Sequence, residues 1–274
     1  MNNIITRTIT GVLFISILIG AILWNAFTFA FIFLIITILA LWEFFTLLEN
    51  EKVIIYKPFI VAIGAMLFVI NALFAMNIAP IASLFLMLPL IILVFIIELY
   101  QKNEKPFTNI AYSIFGIVYL AVPFSILNYF PLISGNTKYN SNLLLGYFLI
   151  IWMYDTSAYI FGISFGKHRL FERISPKKSW EGFIGGTICS LGFAYLLSIF
   201  FMNISLVDWI AITLIIIVFG TFGDLVESLF KRSINCKDSG KILPGHGGIL
   251  DRFDAVLISA PIVFTYFVII NYFK

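Results

Sequence analysis

Charge is what this sequence has least of. Only 11% of its 274 residues are Asp, Glu, Lys or Arg, against 61% that are apolar, whereas soluble chains carry about 25% charged residues. Too little polar covering remains for a water-facing surface, which excludes a soluble enzyme and a nucleic-acid reader. Two cysteines, Cys189 in an apolar run and Cys236 in a polar stretch, offer no disulfide or metal spacing. The polar–apolar alternation of barrel strands is missing. So is the small-residue cleavage site that a removed signal peptide needs, so the first apolar stretch reads as an anchor. No internal repeat, low-complexity segment or inverted halves of the transporter kind are visible.

What is present is apolar sequence in long runs. Thr8 to Trp42 and Pro58 to Ile97 are uncharged over 35 and 40 residues. Roughly 20 residues cross a bilayer core of about 30 Å, so each run crosses twice, with Asn25 the natural break in the first. The pattern predicts an all-α, polytopic integral membrane protein. Its nine spans lie near Thr8 to Trp24, Ala26 to Leu48, Phe59 to Met76, Ile81 to Tyr100, Thr108 to Phe130, Asn142 to Phe165, Gly182 to Met202, Val207 to Phe230 and Asp254 to Phe273. Cytoplasmic segments retain Lys and Arg. With nine spans and the N-terminus cytoplasmic, 15 basic residues fall on that side and 2, Lys138 and Lys274, on the other. A span missed in the middle would send every later loop across and destroy that asymmetry, so count and orientation support each other.

The scarce charges are also unevenly placed. Between Asp155 and Asp254, 100 residues hold 19 of the charged side chains and both histidines. The expected division is therefore an N-terminal scaffold of about five spans, 1–141, and a catalytic membrane region of about four spans, 142–274, with cytoplasmic loops 166–181 and 231–253. Ionisable groups in spans are costly and mark a cavity or a partner, which singles out Asp155, Asp224, Glu227, Asp251 and Asp254. Asp224 with Glu227, and Asp251 with Asp254, stand three apart and share a helix face. Carboxylates from different helices at a membrane rim suit Mg²⁺ held together with substrate phosphates. Glu227 is equally suited to an ion pair with Lys231 four residues on, and Asp254 to one with Arg252 or another cation.

Two loops carry the basic residues. In GKHRLFERISPKKSWEG the adjacent Lys177 and Lys178 follow Ser175 and Pro176; positive-inside charge beside anionic head groups explains them as well as phosphate binding does. Gly182, Gly185 and Gly186 beyond them suit close backbone approach to phosphate or helix packing. The segment from Ser228 to Asp254 interleaves Lys231, Arg232, Lys237 and Lys241 with the PGHGG turn and the carboxylates of DRFD. An anionic, metal-bound substrate fits that combination. His246 suits either proton transfer or a hydrogen bond within the turn.

This last segment resembles the signature of the phosphatidate cytidylyltransferases, or CDP-diacylglycerol synthases. Ser228, Lys231, Arg232, Lys237, Asp238, Gly240, Pro244, Gly245, His246, Gly247, Gly248, Asp251, Arg252 and Asp254 stand in the family's places, with no departure among them. YDTSAYIFG (Tyr154 to Gly162), ISPKKSWEG (Ile174 to Gly182) and FGDLVES (Phe222 to Ser228) are similar to family motifs in family order, while the first 150 residues resemble the family only as helical spans. The resemblance implies transfer of a cytidylyl group from CTP to phosphatidic acid, giving CDP-diacylglycerol and pyrophosphate. It implies a multi-pass enzyme of the cytoplasmic (inner) membrane, usually homodimeric, feeding phospholipid synthesis with its active site toward the cytoplasm. Mg²⁺ is implied, with a monovalent cation such as K⁺ possible beside it. Carried over, Asp224, Asp251 and Asp155 hold metal, and Asp224, Asp251, Lys177, Lys237 and Asp238 are catalytic. Ser175, Lys178, Ser228, Lys231, Arg232, Gly245, His246, Gly247, Gly248, Arg252 and Asp254 meet substrate. A CTP-dependent lipid kinase and an ion-coupled transporter are the alternative readings. A CDP-alcohol phosphotransferase lacks support because its DGxxAR-type run is missing.

Overall fold

A computed structural model describes residues 3–49, 53–133, 139–236, 238–240, 245 and 247–273, with side chains from 7 to 270. Among these, nine helical segments are long and apolar enough to cross a membrane: Arg7–Trp24, Ala26–Leu48, Lys57–Ala75, Ile81–Gln101, Pro106–Leu132, Asn142–Phe165, Trp180–Phe200, Leu206–Ser233 and Leu250–Ile270. The expected spans recur in order. The chain forms two compact units, Met1–Tyr129 with Ile234–Phe253, and Phe130–Ser233 with Asp254–Lys274.

The first unit holds α1 (Asn3–Trp24), α2 (Ala26–Leu48), α3 (Lys57–Ala75), α4 (Met87–Gln101), α5 (Pro106–Gly116) and α6 (Val122–Ile126). Asn25 breaks the first apolar run by capping α2. Its Oδ1 accepts from the Thr28 N–H at 2.9 Å while its own N–H donates to Thr28 Oγ1 at 3.2 Å, a reciprocal capping box. A 3₁₀ turn, Ile81–Leu86, leads into α4, and a π turn, Ile117–Ala121, joins α5 to α6, where Pro123 has no N–H to continue the α pattern. Within lipid there is no hydrophobic drive between helices, so close packing must hold them together. Gly64 accordingly lies under Leu41 and Gly116 under Phe45, where a Cβ would collide. Phe253 closes this core edge-on against Phe14, Phe33 and Phe124, its ring centroid 5.3 Å from that of Phe124. The stretch ending in DRF thus belongs structurally with the N-terminal helices.

The second unit holds α7 (Asn142–Phe165), β1 (Arg169–Phe171), β2 (Ser175–Ser179), α8 (Trp180–Phe200), α9 (Leu206–Ser233) and most of α10 (Leu250–Phe273). Here the all-α expectation needs correction, because the loop after α7 contains an antiparallel hairpin. Its register pairs Arg169 with Ser179 and Phe171 with Ser175, with a bulge between. Pro176 lacks a ladder donor and is tolerated because the ribbon has only edge strands. A second correction is that α10 starts at Leu250, four residues before the expected boundary, which brings Asp251 into its first turn. The α7–α8 contact settles the glycines. A Cβ on Gly182 would sit 2.7 Å from the Ala158 carbonyl, one on Gly185 would enter the Phe161 ring, and one on Gly186 would press on Tyr154 at 3.0 Å. All three serve helix packing. Gly223 lets α9 approach the Asp254 carbonyl in the same way.

Candidate functional site

In the second unit the charges gather on α7, α9, α10 and β2. Asp224 and Glu227 share a face of α9, as their spacing predicts. Asp224 Oδ2 takes the Lys178 ammonium at 2.6 Å, and its Oδ1 accepts from Ser228 Oγ at 3.2 Å. Glu227 is buried and pairs with Lys231 at 2.7 Å, so of its two readings the ion pair is realised. Asp254, from α10, feels the charges of Asp224, Glu227 and Asp155. Four carboxylates from three helices therefore share one region, with two lysines beside them. Tyr154, next to Asp155, donates or accepts at Thr221 Oγ1 at 2.9 Å and lies within electrostatic reach of Asp155 and Asp224. Among the described residues no three His, Cys, Asp or Glu side chains form a ready-made cage for a metal ion.

The hairpin presents Lys178 from β2. Lys177 beside it is exposed, and Ser175 at the strand's start is half-buried. Alternation along a strand sends neighbours to opposite faces, which separates the two adjacent lysines: Lys178 meets Asp224 while Lys177 faces solvent. Ser179 ends the strand and caps α8, its Oγ accepting from the Gly182 N–H at 3.1 Å. His168 and Glu181 bracket the hairpin through a 2.6 Å contact.

The first unit contains the glycine turn. Asp251 Oδ2 accepts from the Ser239 N–H at 3.1 Å, Ser239 Oγ at 2.8 Å and the Gly248 N–H at 2.9 Å. Three donors on one oxygen fix the carboxylate's orientation. Gly245 and Gly247 adopt φ of +80° and +85°, a region that strains any side chain. Arg7 of α1 lies against Gly245, and a Cβ on Gly247 would stand 2.6 Å from Asp251 Oδ2. Asp238, Arg232 and Arg252 are exposed. Lys237, Lys241, Pro244 and His246 lie outside the described residues.

One participant escaped the sequence reading. Glu43 is the single charged residue of α2, is 4% exposed, and its Oε2 accepts from the Ile249 N–H at 2.8 Å. The signal was an ionisable side chain inside an otherwise apolar span; its partner, 206 positions away, was not legible.

These features define a polytopic membrane protein whose charges are concentrated as carboxylate–lysine pairs and as a carboxylate held by a glycine turn. The model of the cytidylyltransferase family matches residues 5–270, and the chain belongs to that family. It is 44% identical over 165 residues to the phosphatidate cytidylyltransferase of Staphylococcus haemolyticus (strain JCSC1435), an alignment covering 60% of this chain. It is 46% identical over 164 residues to that of Staphylococcus saprophyticus and 44% over 165 to that of Staphylococcus aureus (strain N315), again over 60% of this chain. The chain spans 61% of the length of these relatives.

Proposed function

We propose that the protein is a phosphatidate cytidylyltransferase, converting CTP and phosphatidic acid to CDP-diacylglycerol and pyrophosphate. The observation that carries this reading is the uninterrupted signature from Ser228 to Asp254 in a chain of the cytidylyltransferase family. In the reaction an oxygen of the lipid phosphomonoester attacks the α-phosphorus of CTP. A new P–O bond forms as the bond to the β-phosphate breaks, and pyrophosphate leaves with the electron pair.

The nucleophile needs little activation, since a phosphomonoester with a second pKa of about 6 is mostly dianionic at neutral pH. Repulsion between two polyanions is the obstacle. Cations must neutralise charge, align the attacking and leaving oxygens, and stabilise the departing pyrophosphate. Lys177, Lys178, Lys231, Arg232 and Lys237 are the proposed phosphate contacts, with Ser175, Ser228, Asp238, Arg252, Asp254 and the turn Gly245, His246, Gly247 and Gly248 completing substrate recognition and catalysis. Asp224 is engaged by the Lys178 ammonium, so Lys178 would have to release that carboxylate to serve a phosphate, which would leave Asp224 available to hold a divalent ion.

The donor chemistry fits Mg²⁺. Asp224 already stabilises a positive charge, and Mg²⁺ characteristically uses one or two carboxylates plus phosphates and water in place of an all-protein cage. Asp224 and Asp251, with Asp155, are the proposed ligands, and a monovalent cation such as K⁺ is part of the proposal. Bound there, Mg²⁺ would neutralise phosphate charge and polarise the α-phosphorus. We place the N-terminus, the loops 166–181 and 231–253 and the active site on the cytoplasmic side of the cell membrane, supported by the asymmetry of Lys and Arg. CTP then arrives from water while the acyl chains stay in lipid. A scaffold role for 1–141, a catalytic role for 142–274 and a homodimer belong to the same proposal.

The test is a membrane extract expressing the chain, given labelled CTP, phosphatidic acid and Mg²⁺. Label should become lipid-soluble and pyrophosphate appear in equal amount, with Asp251→Asn abolishing both. Phosphorylated lipid carrying no cytidine would indicate a CTP-dependent kinase, and cation flux without liponucleotide a transporter.

A further inference from the structure

Glu43 is a buried carboxylate with an unusual partner. Burying a charge costs several kcal/mol unless it is well compensated, yet none of the ion pairs among the described residues involves Glu43. Its bond is to a backbone amide, the Ile249 N–H directly ahead of α10. Helix starts leave such amides unsatisfied, and a carboxylate there gains from the helix dipole. Here a side chain of α2 supplies it, across 206 residues of sequence. A leucine would pack in the same span without the burial cost, so holding the span together does not explain the carboxylate.

Ser239, Gly240 and Gly248 are shaped around this group. A Cβ on Gly248 would overlap Glu43 Oε1 and Ser239 Oγ, and one on Gly240 would stand 2.9 Å from Glu43 Cδ. Two glycines therefore leave the space that the carboxylate fills. Ser239, buried beside Glu43 and within hydrogen-bonding reach of its carboxylate, directs its N–H and its hydroxyl to Asp251 Oδ2. Gly248 donates to the same oxygen while the next amide, Ile249, donates to Glu43. The two carboxylates thus grip consecutive amides of one turn, and Ser239 borders both.

We propose that Glu43 is a positioning residue: seated among Gly240, Gly248 and Ile249, its carboxylate holds the turn that orients Asp251. The functional consequence rests on the reading of Asp251 as a metal ligand given above. Outer partners that orient ligands typically affect metal affinity or activity by about 10- to 100-fold. Glutamine at this position would keep an oxygen acceptor for Ile249 while losing the charge and exchanging the other oxygen for an NH₂ donor, whereas alanine would lose the acceptor.

The test compares full-length native protein, Glu43→Gln and Glu43→Ala in detergent micelles, by amide hydrogen exchange over 239–251 and by the Mg²⁺ dependence of CDP-diacylglycerol formation. For E43A, exchange in this segment should quicken about tenfold or more with the rest of the chain unchanged, and half-saturating Mg²⁺ should rise about tenfold or more. E43Q should stay near native in both. Unchanged exchange in E43A overturns the proposal. Equal losses in E43Q and E43A overturn it too, by showing that charge and not the acceptor matters. Faster exchange with unmoved Mg²⁺ dependence leaves Glu43 a structural strut and likewise overturns it. If E43A does not survive extraction, Glu43→Asp, which withdraws the carboxylate by one methylene, is read in its place; loss of the fold in both shows that the core needs the group, and again overturns it. Should the native chain form no liponucleotide, the proposed function fails by itself, while the exchange measurement still decides whether Glu43 holds the turn.

Discussion

Gly248→Ala places one methyl group where there is no room for it. The new Cβ would overlap the Glu43 carboxylate and the Ser239 hydroxyl, and both residues are buried, at 4% and 3% exposure. Neither can swing into open space. Overpacking of this kind costs about 1–3 kcal/mol. If Glu43 yields, the hydrogen bond from Ile249 goes with it, worth about 1.5–3 kcal/mol for a charged acceptor. The two costs overlap, so we expect a loss of about 3 kcal/mol, or roughly 6–12 °C in Tm for a chain of this size. The assay is thermal unfolding of purified protein in micelles, with Gly192→Ala as the control. Gly192 is in mid-α8, and a methyl group added there would have nothing within 4 Å, so G192A should be neutral or stabilise by up to about 1 kcal/mol through helix propensity. A G248A protein melting within about 1 °C of native, against the several degrees expected, would refute the reasoning that the glycine exists to admit Glu43.

Three further outcomes follow from the geometry. Lys178→Met removes the ammonium 2.6 Å from Asp224 and, if the proposed CDP-diacylglycerol synthesis holds, should lower its rate about 100- to 1000-fold, with Lys178→Arg retaining more; equal rates for native and K178M would remove the lysine from the mechanism. Lys231→Met removes the ammonium 2.7 Å from Glu227, which is 2% exposed, and should destabilise by about 3–5 kcal/mol. Adding Glu227→Gln should recover much of that loss, as a double-mutant cycle of melting curves will show. Asn25→Ala deletes the capping box at the start of α2 and should cost about 1 kcal/mol, read as a lower Tm with Mg²⁺ dependence unchanged.

Much of the molecule was legible in its sequence because the relevant physics is local or additive along the chain. Span lengths follow from bilayer thickness, so Ala26–Leu48 and Asn142–Phe165 end at the residues the apolar runs indicate. Asn25 reads as a break because an Asn side chain can cap the helix that follows. Asp224 and Glu227 read as one face because helical spacing makes them so, and the signature from Ser228 to Asp254 announces a family through residue order alone. Less legible was which role each ambiguous residue takes. The spacing of Glu227 and Lys231 allowed a pair without requiring one, and Gly182, Gly185 and Gly186 suited phosphate as well as packing until Ala158, Phe161 and Tyr154 were found against them.

By itself, then, the sequence determined the pattern of apolar spans, the region where charge concentrates and the family. Tertiary structure alone decided which of those charges meet. The hairpin between α7 and α8 depends on pairing Arg169 with Ser179 across a bulge, and that pairing is what parts Lys178 from Lys177. The bond from Ile249 to Glu43 joins residues 206 apart. No periodicity encodes such a contact, because it forms only when a turn rich in glycine packs against a distant helix closely enough for a buried carboxylate to reach an amide.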